Sequence, residues 1–136
     1  MAQSGEMEIR IRHARREDAA TWERMRCELW PNGAADHGPE IERFFSGTLE
    51  EPTVVLMAED AMGEVVGFAE AAIRTELEGL KDKRIGYVEG LYVPPEFRGR
   101  GVARKLMRAS RDWAREERCT AFASDRRGKI VVDRTF

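Results

Sequence analysis

Arg98-Gly99-Arg100-Gly101-Val102-Ala103 is the stretch on which the fold turns. Upstream lies an apolar run, residues 86–93 (GYVEGLYV), stopped by Pro94-Pro95. Downstream, Val102, Leu106, Ala109 and Trp113 recur at i, i+4, i+7 and i+11 within residues 102–118. The first run reads as a strand and the second as the longest amphipathic helix of the chain. Two glycines and two arginines therefore stand where a helix begins. A helix start exposes unpaired N–H groups and the positive end of the dipole, which suits a phosphate. Glycines allow close backbone approach, and arginines add charge-assisted hydrogen bonds. By itself the turn is equally compatible with glycines that serve only the bend and arginines that face water. Neither GxGxxG nor GxxxxGK[ST] occurs, so a dinucleotide fingerprint and a triphosphate loop are excluded.

Working outward, Ile9 and Ile11 alternate with polar residues and predict a strand over 8–13. Asp18, Trp22, Met25 and Leu29 keep helical spacing, and Pro31 with Asn32-Gly33 ends that helix. Ile41, Phe44, Phe45 and Leu49 predict a short second helix starting at Pro39, and Pro52 breaks it. Residues 53–58 and 64–74 read as a hairpin around Asp60-Ala61-Met62-Gly63. Residues 75–84 are a polar loop, and 119–124 form a last short strand. Residues 126–136 are an atypical tail, either a short strand over 130–132 or irregular. The order β-α-α-β-β-β-α-β predicts a single domain over 1–136, of mixed α/β (α+β) type around one sheet, with a β-α-β crossover at its core.

The 136 residues are 42% apolar and 35% charged, with 23 Lys+Arg against 25 Asp+Glu and a net charge of −2. That supports one domain with a sizeable core and excludes a disordered chain. No apolar run approaches the ~18 residues of a membrane span. Residues 1–7 read as a polar extension without the order of a signal peptide, so a cytoplasmic protein is expected. The charge balance argues against nucleic acid as a partner. Arg98, Arg100, Arg104 and Arg108 lack the interleaved aromatics that single strands need. Cys27 and Cys119 have no metal-ligand spacing and read as reduced thiols, while His13 and His37 read as surface residues, so no metal is expected.

A strand, a proline turn and Arg98-x-x-Gly101-x-Ala103 opening a helix together resemble the acyl-CoA pyrophosphate loop of the GNAT N-acetyltransferases. The resemblance implies a mixed, mostly antiparallel sheet flanked by helices, with a bulge near Glu89-Gly90. It further implies acetyl-CoA as co-substrate, held by Leu91, Tyr92 and Val93 along the pantetheine and by Arg98, Gly99, Arg100, Gly101, Val102 and Ala103 at the phosphates. Over residues 7 to about 125 the chain is similar to the aminoglycoside 6′-N-acetyltransferases. The shared marks are Glu28-Leu29-Trp30-Pro31, residues 66–71 (VGFAEA), Ile73-Arg74, residues 88–93 (VEGLYV) and Ala123-Ser124-Asp125. The implied activity is acetyl transfer to the 6′-amine of an aminoglycoside, an antibiotic-resistance reaction.

A polycationic acceptor needs carboxylates near an amine that must lose a proton. The resemblance assigns this catalytic work to Glu89 and substrate binding to Trp30, Glu89 and Asp125. Each has another reading: Glu89 paired with Arg84 or Arg74, Asp125 solvated, Trp30 a plug at a helix end. Glu70 and Asp36 read as solvated. The acids favour a cation without naming it, so another small-molecule or peptide amine, or a poorly active acyl-CoA-binding module, stays open. Relatives carry an aromatic near Leu77. After Asp125 the family continues with a helix, further strands and a tyrosine that residues 126–136 do not match. The sheet is thus expected to be truncated or altered at that end, with an unpaired strand edge at 119–124. Either a homodimer is expected to cover it, with residues 130–132 as a strand for exchange, or the chain is expected to be a destabilised, weakly active monomer.

Overall fold

A computed structural model describes residues 8–77 and 79–136. One six-stranded sheet runs in chain order: β1 (Arg10–His13), β2 (Val54–Glu59), β3 (Val65–Arg74), β4 (Ile85–Tyr92), β5 (Ala121–Arg126) and β6 (Lys129–Val132). Every neighbouring pair is antiparallel except β4 with β5, which are parallel and joined through helix α3 (Val102–Glu116). Helices α1 (Ala19–Leu29) and α2 (Ala34–Ser46) precede β2. Among the described residues no helix is long and apolar enough to cross a membrane.

The alternation of β2 explains why the sheet has a layer on each side. Val54, Leu56 and Ala58 pack in one core with Val102, Leu106, Trp113 and Ala114 of α3. Val55 and Met57 face the opposite way and join Trp22, Met25, Ile41 and Phe68 in a second core beneath α1 and α2. Close approach of α3 is set at Gly86, where a Cβ would lie 2.6 Å from the Cβ of Ala114. Any larger residue there would push the crossover helix off the sheet.

Two expectations are corrected. Helix α2 begins at Ala34, five residues before Pro39, which lies inside it. Proline marks a first turn only where nothing else orders the preceding residues. Here Arg26 and His37 bond each other at 3.2 Å, and His37 bonds the Trp30 carbonyl at 3.0 Å, tying the earlier turn to α1. Nor is the strand expected at 119–124 left with an open edge. Residues 129–132 fold back on β5 of the same chain, with Ala123 opposite Val132 and Arg126 opposite Lys129. The connection is a two-residue turn, Arg127 at φ 56° and Gly128 at φ 83°, a pairing of signs that matches the twist of a hairpin. Phe136 then stacks on Phe122 at 5.5 Å.

Candidate active site

The site originates in a mismatch between β3 and β4. Glu70 pairs with Gly90 and Ala71 with Val88, so Glu89 is an extra residue on β4, the expected bulge. A bulge bends and twists its strand. On the other side, β4 pairs with β5 only from Ile85–Ala121 to Val88–Ser124. Beyond that point the two strands part, and a cleft of about 1220 Å³ opens between them.

Glu89 stands on this cleft, half-buried. Burial raises its carboxyl above the ordinary carboxylate range, with Arg74 opposing the shift. Neither rival partner is joined to it. Arg74 bonds Glu51 at 2.8 Å and lies over the Tyr87 ring, while Arg84 bonds the Glu117 carbonyl at 2.7 Å. A half-desolvated carboxylate without an ion-pair partner among the described residues can take up a proton.

Trp30 also lines the cleft, and its ring lies on the bare backbone of Gly90, where a Cβ would sit 2.4 Å from Cη2. Arg26 holds its other surroundings, with the guanidinium 5.3 Å from the ring centroid. Asp125 reaches the cleft while fixing the β5–β6 turn: Oδ1 accepts the Gly128 N–H at 2.8 Å, and Oδ2 faces the Tyr87 hydroxyl at 3.5 Å. It is therefore a tethered carboxylate that stays partly exposed.

Leu91, Tyr92, Val93, Arg98 and Ala103 line the same cleft. Arg98 donates from Nε to the Val93 carbonyl at 2.7 Å and lies over the Tyr92 ring, fixing the turn to the strand. Gly99 and Gly101 have φ of 77° and 85°, the left-handed region that favours glycine, and Gly101 caps α3. Gly99, Arg100, Gly101 and Val102 are not on the cleft wall itself. The Val102 side chain is core, so only its backbone faces the helix start. Tyr92 turns its ring inward and donates its hydroxyl to Glu28, a cleft residue of the Glu28-Leu29-Trp30-Pro31 mark to which the sequence assigns no role.

Behind the site lies a buried polar set. Glu70 and His37, expected at the surface, are 1% and 4% exposed. Glu70 accepts from Trp22 Nε1 at 2.8 Å and from Arg26 at 2.6 and 2.8 Å. Arg26 also reaches Glu40 at 2.6 Å. Because a guanidinium only donates, His37 Nδ1 accepts from it, which leaves the Nε2 proton for the Trp30 carbonyl. One signal was available: a lone acid inside the apolar run 65–73 needs a partner if that strand is central.

The chain belongs to the acetyltransferase (GNAT) family, whose sequence profile matches residues 17–128. Within it, the chain is 43% identical over 116 residues to an aminoglycoside N(6′)-acetyltransferase type 1 of Klebsiella aerogenes, covering 85% of this chain and 76% of that protein. It is 37% identical to the enzyme of the same name from Stenotrophomonas maltophilia, covering 89% and 77%. The solved aminoglycoside N-acetyltransferase AAC(6′)-Iy in complex with CoA superposes with a TM-score of 0.76 at 28% identity, covering 92% of this chain and 81% of that one.

Proposed function

We propose that this protein transfers the acetyl group of acetyl-CoA to the 6′-amine of an aminoglycoside. The observation that carries the reading is the proton-seeking Glu89, without an ion-pair partner among the described residues, at the point where β4 leaves β5. The 43% identity to a named aminoglycoside N(6′)-acetyltransferase supports the acceptor.

Acetyl-CoA lies in the cleft with its pantetheine along Leu91, Tyr92 and Val93. Its pyrophosphate meets the turn from Arg98 through Gly99, Arg100, Gly101 and Val102 to Ala103. Trp30 and Asp125 hold the cationic sugar, and Glu89 takes a proton from the ammonium. The freed amine attacks the thioester carbon. A backbone N–H of the 91–93 edge holds the oxyanion, and collapse expels the CoA thiolate, which takes up the second proton that the attacking nitrogen sheds as the amide forms. Transfer is direct, since neither Cys27 nor Cys119 lines the cleft.

The described residues make up one acetyltransferase domain that works in the cytoplasm, where acetyl-CoA is available. A homodimer is supported by the free edge of β6, which leaves Ile130 and Val131 39% and 44% exposed. The test of the reaction is turnover with acetyl-CoA on a panel of 6′-amino aminoglycosides and their 6′-hydroxy analogues. Acetylation confined to the 6′-amino compounds is expected. Equal rates on the hydroxy analogues would show the regiochemistry to be wrong.

A further inference from the structure

The cleft carries five arginines against three carboxylates, Glu28, Glu89 and Asp125. Its lining includes Arg98, Arg104, Arg111, Arg126 and Arg127. Arg98 and Arg104 flank the start of α3. Arg111 is seven residues along the helix from Arg104, about 10 Å at 1.5 Å per residue. Arg126 and Arg127 are on the β5–β6 hairpin. A side pocket of about 330 Å³ opens here, sharing Met107, Arg111, Ser124 and Arg126 with the cleft and adding Asp133 and Arg134.

The one carboxylate in that pocket is already satisfied. Asp133 accepts from Arg111 Nε at 2.6 Å and from the Thr135 N–H and hydroxyl at 2.9 and 2.8 Å, which hold its carboxyl at about 2. Arg126 and Arg134 have no ion-pair partner among the described residues. Three guanidiniums against one neutralised carboxylate repel a polycationic acceptor and match a dianionic phosphate, whose oxygens accept the planar fork in pairs.

We propose that this side pocket, built by α3 and the β5–β6 hairpin, binds a phosphate monoester: the 3′-phosphate of the ribose in coenzyme A. The assignment rests on the acetyl-CoA reading. It adds that the hairpin selects the phosphorylated carrier over its dephosphorylated form.

Calorimetric titration with CoA and with 3′-dephospho-CoA tests it, on the natural protein and on the Arg126→Gln/Arg134→Gln variant. Both side chains are exposed, so the variant keeps its fold. The natural protein is expected to prefer CoA by about tenfold or more, the scale of hydrogen bonds between charged groups. The variant is expected to lose most of that preference, weakening CoA well beyond any loss for 3′-dephospho-CoA. Equal affinities in the natural protein would overturn the assignment, as would equal loss for both ligands in the variant. If neither ligand binds the natural protein, the acetyl-CoA reading itself falls, and this one with it.

Discussion

Glu89 carries two consequences of one shift, and they have opposite signs. Its folded carboxyl titrates above the ordinary value because burial disfavours the charge. Folding therefore favours the protonated form: its stabilising effect is complete below the unfolded pKa and is lost as pH rises through the folded one. Above that raised pKa the ionised group is a burden on the fold and an asset to the reaction. Glu89→Gln should then raise the Tm slightly on the alkaline side of it, while turnover falls by roughly 10²–10⁴-fold, the usual worth of a general base. In the natural enzyme kcat should decline as pH falls through the raised pKa. Thermal melts and a kcat–pH profile check both arms, and full turnover in the variant would remove Glu89 as the base. Its neighbour gives a steric counterpart. Gly90→Ala drives a methyl into Trp30, so the acceptor KM should rise several-fold while acetyl-CoA affinity, read by calorimetry, holds.

At the scale of elements, α1 is held to the sheet by a pair sealed from water, with side-chain exposures of 6% for Arg26 and 2% for Glu70. Removing one partner leaves the other charge buried. Arg26→Met should cost about 3–5 kcal/mol in denaturant unfolding, and Arg26→Met/Glu70→Gln should recover part of it. The helix start tests a different property: Gly101→Val forces a branched residue to φ 85°, costing about 1–2 kcal/mol. Acetyl-CoA affinity should fall further than that loss of stability explains. Turn and helix were both legible, because Gly-Arg-Gly and a 3.6-residue period are local signals. The bulge at Glu89 was legible through resemblance alone, since it arises from register against β3. Glu70 and His37 were not, because the partners that bury them lie 44 and 11 residues away. The β5–β6 hairpin was half-read: an Arg-Gly turn carries a weaker signal than Asn-Gly, and four residues show little period.

For the whole molecule, the sheet order follows the chain, which is why a linear reading recovered the architecture. What that reading put at the wrong edge was the exposed strand. At that end of the sheet the free edge belongs to β6, and sedimentation over a concentration series should show association that an Ile130→Lys/Val131→Lys variant abolishes. A monomer at all concentrations would retire the dimer. The parting of β4 from β5 reaches further than the chemistry it frames. Past Val88 the strand has a partner on one side only, so its cleft-facing amide protons trade with solvent deuterium quickly while the ladder behind them stays slow. Filling the cleft closes that side. The strand thereby becomes a clock within the molecule, its ticking slowed by occupancy, and it would run the same whether or not any acceptor were ever acetylated.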